Sequence, residues 1–568
     1  MKNIPAFLRS LNLFRSSDRA GKTSGRQKAC DRILVAIGPS WQAAPIRRLL
    51  QTAFLLLYLY LFFVVSWPYA ILLSSQIPTG KPWTIVELFL WLDPLVGLST
   101  AIAARWWNIA LLGAGAVLSL GLLFPRVFCG YLCPMGTLID LFDFLIARRI
   151  PWFKSALSPR WAAVRFCILT AVLAASFGGV LLSGFAAAIP VLTRGLLFSA
   201  GNVQLGLAKN WGMVPPMSVA MGLSLGLFAA AFFLSLIGPR FWCRFVCPSG
   251  ALLSVAGLGS RFQRQVGNRC VQCQHCVRVC SFGAVAADCA TRPLNCAFCQ
   301  TCGGACPQQA IDFAWISTSV PGKKSKATDP LVVTRRTMLG SVAGGLAAAL
   351  LTRQTAVAAP PPLRPPGSVP EGPFLDLCIR CEQCLKVCPG PVLQPAGWEY
   401  GLEALWTPRA VFSHAGCHPE CNFCTQVCPT GAIQPLDLAQ KRRCQIGLAI
   451  LDTSLCLPHR GERDCQLCFD ECNAAGYRAI EMRPIQLATG TVPEGMFSPE
   501  QIEQMSRILA PFVKADACVG CGLCEYRCHA AWVSRQPLLP QSAVMIQPVT
   551  AIVRKPEPRR QDDSVSTP

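Results

Sequence analysis

The chain has 568 residues, a formal net charge of +22, 52% hydrophobic residues and 32 cysteines. It is too long for one core, and too long and apolar for the short secreted scaffolds that use many cysteines as disulfides. The positive charge lies in loops and tails beside apolar runs, which fits membrane topology and not a nucleic-acid surface.

Residues 1–50 read as a basic cytoplasmic tail, with ten Lys/Arg against Asp18 and Asp31. The first uncharged run, Thr52 to Leu73, is long enough to cross a hydrocarbon core of about 30 Å as a helix. Further runs lie near Ile109 to Phe124, Phe166 to Val191 and Met217 to Ile237. Arg148, Arg149, Lys154 and Arg160 separate the second run from the third. The connection from Ser74 to Asn108 carries only Lys81 and Arg105, and that from Leu192 to Pro216 only Arg194 and Lys209. The positive-inside bias then puts the N-terminus, the 140–160 loop and the chain after residue 240 in the cytoplasm. Residues 51–260 are expected to form an α-helical membrane domain of about four transmembrane helices. The stretch Trp83–Ala104, interrupted at Asp93-Pro94, reads as a short re-entrant or interfacial helix. Glu87 and Asp93, acids among apolar residues, are candidate proton acceptors.

One internal repeat runs through this domain. Pro125-Arg126-Val127-Phe128-Cys129-Gly130-Tyr131-Leu132-Cys133-Pro134 matches Pro239-Arg240-Phe241-Trp242-Cys243-Arg244-Phe245-Val246-Cys247-Pro248. Each C-x3-C-P copy follows an apolar run ending on the same face. Cys129, Cys133, Cys243 and Cys247 are therefore expected to meet as one redox or metal site, or as a reversible dithiol pair.

Residues 261–321 and 371–550 carry six cysteine quartets. These are Cys270, Cys273, Cys276, Cys280 and Cys296, Cys299, Cys302, Cys306 in the first module. The second holds Cys378, Cys381, Cys384, Cys388; Cys417, Cys421, Cys424, Cys428; Cys456, Cys465, Cys468, Cys472; and Cys518, Cys521, Cys524, Cys528. Four follow the C-x2-C-x2-C-x3-C spacing of bacterial ferredoxins, and those starting at Cys417 and Cys456 are stretched. Three close thiolates reach three corners of one cubane, and the fourth serves the neighbouring cluster. Cys270, Cys273, Cys276 and Cys306 should then share one [4Fe-4S] cluster, and Cys296, Cys299, Cys302 and Cys280 the other. In the second module adjacent and nested pairing both remain open. The expected total is six clusters, two plus four, held in two ferredoxin-like α+β modules. Cys30, Cys167, Cys289 and Cys444 fit no quartet. The five histidines lie beside cysteine motifs and receive no ligand role.

Between the modules, residues 322–370 hold a basic linker, Arg335-Arg336, a short weakly apolar run and Ala356-Val357-Ala358 before Pro360. These are the parts of a twin-arginine export signal; the competing reading is a fifth apolar helix. Residues 551–568 are a polar tail. No phosphate loop, dinucleotide fingerprint, haem attachment site or hydrolase triad occurs.

Residues 50–310 resemble NapH, the membrane subunit of periplasmic nitrate reductase systems, in the two C-x3-C-P motifs and the ferredoxin after them. Residues 334–530 resemble NapG, in the twin-arginine leader, four cluster motifs, Cys456-x8-Cys465 and Cys518-Val519-Gly520-Cys521-Gly522. The chain looks like the two subunits fused. MauN and MauM are a related pair, and NosR-like proteins share the membrane half. Ser281, Asn473 and His529 depart from the Pro that usually follows a fourth cysteine. The resemblance implies a quinol dehydrogenase-type component in the bacterial inner membrane. It would draw on the quinone pool and deliver electrons to a periplasmic reductase or its partner cytochrome, with the C-terminal module periplasmic. The alternative it implies is an assembly or maturation factor for a periplasmic redox enzyme.

Overall fold

The computed structural model describes residues 40–64, 85–105, 107, 109–149, 159–208, 211–315, 334–358, 361–486 and 507–549. The tail before residue 40, the end of the first apolar run, Lys154, most of the basic linker and the polar tail 551–568 lie outside the described residues.

Eight helices form a bundle: α1 (Ser40–Val64), α2 (Pro94–Ala104), α3 (Ile109–Leu123), α4 (Pro134–Leu145), α5 (Val164–Phe177), α6 (Ala188–Leu196), α7 (Val219–Phe233) and α8 (Pro248–Ala256). They divide into two like halves, α1–α4 and α5–α8, each closing on one C-x3-C-P motif. In each half a π-helical turn (Phe128–Leu132, Trp242–Val246) carries the first cysteine, and the second cysteine is the N-cap of the next helix, with Pro at its first position. Proline suits that position because the missing N–H has no partner there anyway.

The four expected spans all begin as helices, two of them at full membrane length. Among the described residues two helices are long and apolar enough to cross a membrane, Ile46–Val64 and Val219–Leu236. The second and third runs become helices of 15 and 14 residues, about 22 Å at 1.5 Å per residue. The third run is broken by Gly178-Gly179, the latter at φ 78°. Its remainder turns back into the interior as α6, where Ile189 and Leu192 are fully buried. The stretch around Asp93 does the same: Leu95 and Val96 are fully buried, and α2 then packs on Glu371–Leu377 of the second module. The Asp93-Pro94 interruption falls between the helical turn Leu88–Trp91 and α2.

The two cluster modules sit at opposite ends of this bundle. At one end of α1, Arg47 donates to Gly130 O at 3.0 Å and to Thr301 Oγ1 of the first module at 3.4 Å. Toward its other end Lys386 of the second module lies 3.3 Å over the Phe62 ring. Helix α5 repeats the pattern. Arg165 donates to Asn295 Oδ1 at 2.6 Å, and beyond the far end Arg380 donates to Leu181 O at 2.5 Å.

The segment with Arg335-Arg336 is a helix, α9 (Arg335–Ala358), lying along α5 and running the same way. Gly345 lies so close to the Ala171 backbone that a Cβ there would stand 2.3 Å from its oxygen. Arg353 reaches Gly178 O at 3.4 Å. At 24 residues it is about 36 Å long. The expected export leader is thus a packed bundle helix in this structure. Small residues serve a weakly apolar leader and close helix contact equally well, so composition does not separate the two.

In the first module β1 (Phe262–Val266) and β2 (Ile311–Trp315) pair antiparallel and close the two motifs into one unit. In the second, β3 (Leu393–Pro395) pairs with β4 (Pro408–Ala410), β5 (Leu448–Leu451) with β8 (Val544–Gln547), and β6 (Ile480–Gln486) with β7 (Arg507–Val513), all antiparallel. The pairing of β5 with β8 brings Cys456 near Cys528, and that of β6 with β7 brings Cys472 near Cys518.

Candidate functional site

The close spacing of the cysteines is held by a recurring backbone device. In four motifs the second and fourth residues after the first cysteine lie in the left-handed region: Gln272 and Gln274, Phe298 and Gln300, Arg380 and Glu382, Gly520 and Gly522, all with φ between 53° and 72°. That coil turns successive thiols inward. Glycine is needed at the last pair, because a Cβ on Gly522 would stand 2.1 Å from the Phe412 ring and one on Gly520 would stand 2.4 Å from Gly447 O.

Four hollows have cysteine walls. One is lined by Cys270, Cys273, Cys276 and Cys306; a second by Cys388, Cys417, Cys421 and Cys424; a third by Cys472, Cys518, Cys521 and Cys524; a fourth by Cys456, Cys465, Cys468 and Cys528. Two further groups form in the same way. Cys428 bears on Cys378, Cys381 and Cys384, and Cys280 packs with Cys296 and Cys299 and bears on Cys302. Each motif therefore lends its fourth cysteine to its partner. The exchange in the first module is the expected one. In the second module the structure selects adjacent pairing, first motif with second and third with fourth.

These groups suit a four-iron cluster better than a lone ion. The exchange of fourth cysteines between motifs is the arrangement of two-cluster ferredoxins, whereas a structural zinc closes on four ligands of its own. The fourth cysteines also meet backbone donors: Ala284 N to Cys280 Sγ at 3.2 Å, Ala310 N to Cys306 at 3.4 Å, Ile433 N to Cys428 at 3.4 Å and Ala479 N to Cys472 at 3.2 Å. Such amides stabilise negative charge on ligating sulfur. Burial pushes the Cys521 thiol up to about 12 and the Cys456 thiol up to about 11, with neighbouring cysteines adding to the rise. Iron must therefore displace protons to bind.

The groups follow one another in single file. In the second module Cys388 and Cys428 tie the first pair, Cys417 N donates to Cys521 O at 2.7 Å to join the second group to the third, and Cys472 and Cys528 tie the third to the fourth. No sequence signal announced the Cys417–Cys521 contact, which spans about a hundred residues.

At the heart of the bundle Cys129, Cys133, Cys243 and Cys247 lie within electrostatic reach of one another, as the repeat led us to expect. Their surroundings were not foreseen. Arg126 and Arg240, which open the two motifs in left-handed conformation (φ 50° and 52°), are fully buried and cross over. Arg126 donates to Cys243 O at 3.1 Å and Arg240 to Cys129 O at 3.2 Å. Arg240 also forms a bidentate pair with Asp140 at 2.5 Å. Phe282, two residues after Cys280, is inserted between the two guanidinium groups, 4.3 Å from Arg240 and 5.7 Å from Arg126. The first module thus touches the four-thiol chamber through a cluster-motif neighbour. The shared Pro-Arg before each motif was the available signal.

Glu87 and Asp93 are not brought to one surface site. Asp93 is 1% exposed and accepts from Leu95 N at 3.1 Å and Ser249 Oγ at 2.9 Å, two residues after Cys247. Glu87 is 2% exposed, beside Val86, which packs with Val387 and Phe423 of the second module. Cys444 stands outside the six groups, though Gly367 N reaches its Sγ at 3.4 Å, whereas Cys289, which fits no quartet in the sequence, lines the hollow of Cys270, Cys273, Cys276 and Cys306.

A family model described as a 4Fe-4S binding domain matches residues 107–152 and 220–264, which contain the two C-x3-C-P motifs. The ferredoxin-type protein NapG of Escherichia coli is 36% identical over 214 residues, 37% of this chain and 81% of NapG. The methylamine utilization ferredoxin-type protein MauM of Methylobacillus flagellatus is 33% identical over 214 residues, 82% of its length, and MauM of Paracoccus denitrificans is 30% identical over 221 residues, 90% of its length. No solved structure matches the chain. Coverage of this extent, on top of the cysteine groups just described, makes the chain a [4Fe-4S] electron-transfer protein that belongs to the NapG/MauM family of ferredoxin-type proteins.

Proposed function

We propose that this protein is a membrane-embedded electron conduit. It would join a NapH-like quinol-oxidising bundle to a NapG-like module, and serve a periplasmic reductase or its partner cytochrome. The observation that carries this reading is the single file of cysteine groups. It begins with two in the first module, continues through the four-thiol chamber, and ends with four in the second module, at the opposite end of the bundle. Each [4Fe-4S] cluster, when bound, supplies one-electron redox chemistry near the potential its sulfurs are tuned to. The six swapped quartets would hold six clusters.

The chain's own residues then have distinct tasks. The bundle of α1, α3, α5, α7 and α9 crosses the bilayer of a bacterial inner membrane, with α9 as a fifth crossing helix that carries the chain to the periplasmic face. The swapped fourth cysteines hold neighbouring groups close. Arg126 and Arg240 offset negative charge at the four-thiol chamber, which acts as a redox relay between the modules. Glu87 and Asp93 accept protons as quinol is oxidised, Glu87 on the second-module side and Asp93 deeper, at Ser249.

Anaerobic protein in lipid, given a reduced quinol and followed by EPR with iron counted on the same sample, tests this. Reduction of several cubane signals, with about 24 iron atoms for six four-iron groups, is the expected result. In the same assay Glu87→Gln together with Asp93→Asn should slow reduction by quinol but not by dithionite. Full iron with no reduction by any quinol would overturn quinol oxidation and favour a role in maturing a partner enzyme.

A further inference from the structure

The first module holds one cysteine more than its two clusters need. The hollow of Cys270, Cys273, Cys276 and Cys306 has that fifth cysteine, Cys289, in its wall, 3% exposed. The three other hollows with cysteine walls have four each. At about 20 Å³ this hollow is no larger than those of the Cys456 and Cys472 groups, so the extra sulfur does not come from extra room. Cys289 packs in one buried cluster with Cys276, and its thiol lies within hydrogen-bonding reach of the Cys276 sulfur.

A short hairpin sets it there. Val285 bridges to Thr291, Arg292 N donates to Ala284 O at 2.8 Å, and Cys289 N closes a turn on Ala286 O at 2.9 Å with φ at 65°. Glycine would close that turn freely, so the turn does not explain the thiol. A second wall residue points to a negatively charged occupant. Arg264 is 7% exposed and borders the same hollow. Its Nη1 holds the Cys289 loop, donating to Cys289 O at 3.0 Å and to Thr291 Oγ1 at 2.8 Å. Its Nε and Nη2 have no hydrogen-bond partner among the described residues. A buried guanidinium is costly without a counter-charge, and a cluster bound by thiolates supplies one. Cys273 is the only exposed cysteine among the described residues, so this is also the group that water reaches.

We propose that Cys289 is a reserve ligand of the cluster held by Cys270, Cys273, Cys276 and Cys306, taking over the iron that Cys276 holds when that bond opens. This rests on the cluster reading of the hollow and not on quinol oxidation. In the exchange the bond from iron to the Cys276 sulfur breaks and one to the Cys289 sulfur forms. The thiol proton of Cys289 passes to Cys276, and no electron enters or leaves. The two sulfurs are neighbours in one buried cluster, so the exchange calls for no wide backbone movement. Arg264 keeps the Cys289 loop in place and its charge beside the sulfurs whichever thiolate is bound.

The test is iron counting with EPR on the full chain, purified anaerobically in lipid and reduced with dithionite, so that quinol plays no part. Wild type reports on the cluster reading itself, with about 24 iron atoms for six four-iron groups; the differences between variants report on the reserve ligand. Cys276→Ala should keep the wild-type iron content, with the EPR signal of one centre altered. Adding Cys289→Ala to it should remove about four iron atoms, whereas Cys289→Ala alone should keep them all. Cys524→Ala, at the corresponding third position of a motif whose hollow has four cysteines, should lose about four. Iron lost from Cys276→Ala as from Cys524→Ala would overturn the proposal, and so would equal iron in the single and the double variant. Should the Cys276 variants not accumulate, Cys289→Ala decides alone. A ferrous chelator should then strip about four of its iron atoms several-fold faster than from wild type, and equal rates would overturn the reserve ligand.

Discussion

The two halves of the bundle are twins in backbone and unlike in charge. Each begins its motif with a buried arginine in left-handed conformation, each arginine reaches the first cysteine carbonyl of the other half, and each second cysteine caps a helix opened by proline. The helices that follow differ. Helix α4 presents Asp140 and Asp143 to Arg240, the first through its side chain and the second to its backbone N–H at 3.0 Å. At the positions equivalent to these acids α8 has Ser254, whose hydroxyl is spent on Gly250 O at 2.7 Å, and just beyond it stands Gly257. Arg240 is therefore neutralised by a carboxylate, whereas Arg126 rests on carbonyl oxygens and the Phe282 face. A repeat duplicates geometry more faithfully than electrostatics, and the unequal half is the one whose partner is supplied from outside the bundle.

The contrast is broken most severely at Asp140, which accepts from Arg240, Arg47 and Gln51. Asp140→Ala leaves Arg240 buried without its counter-charge and should cost about 3–5 kcal/mol, read as a lower thermal midpoint in detergent. Phe282→Ala is next, at about 3 kcal/mol for a buried aromatic. It should raise hydrogen exchange across 262–315 while leaving 378–486 protected, because the ring docks the first module only. Arg126→Lys is the mildest and the most informative. With no carboxylate to lose, it should cost about 1–2 kcal/mol, well below the loss for Arg240→Lys, in which a bidentate pair disappears. Equal losses for the two lysine variants would erase the distinction between the halves.

What the sequence made legible was local or repeated. The cysteine spacing gave six groups and the exchange in the first module, since both follow from the reach of a short loop. The Pro-Arg and C-x3-C-P repetition announced a four-thiol meeting point. Three things were hidden. Apolar length merged α5 with the inward turn of α6, because a helix and a re-entrant segment are equally apolar. The small residues of α9 read as an export leader or a fifth helix, and gave no sign that Gly345 and Ala349 meet α5. The order of groups in the second module depends on the contact of Cys417 with Cys521, which no local pattern encodes.

The second module meets the bundle through polar and apolar contacts together: Arg380 on Leu181 O, Arg194 on Arg380 O at 2.9 Å and Trp406 Nε1 on Ala220 O at 2.7 Å, with Ile379 and Cys381 in the bundle core and Val86 against Val387 and Phe423. Between separate proteins the occupancy of such a surface would depend on the concentration of each partner. Here α9 makes the encounter intramolecular, at an effective concentration in the millimolar range for a short tether. In the uncleaved chain the module stays seated whatever the protein concentration, and the ratio of the two parts is fixed at one to one.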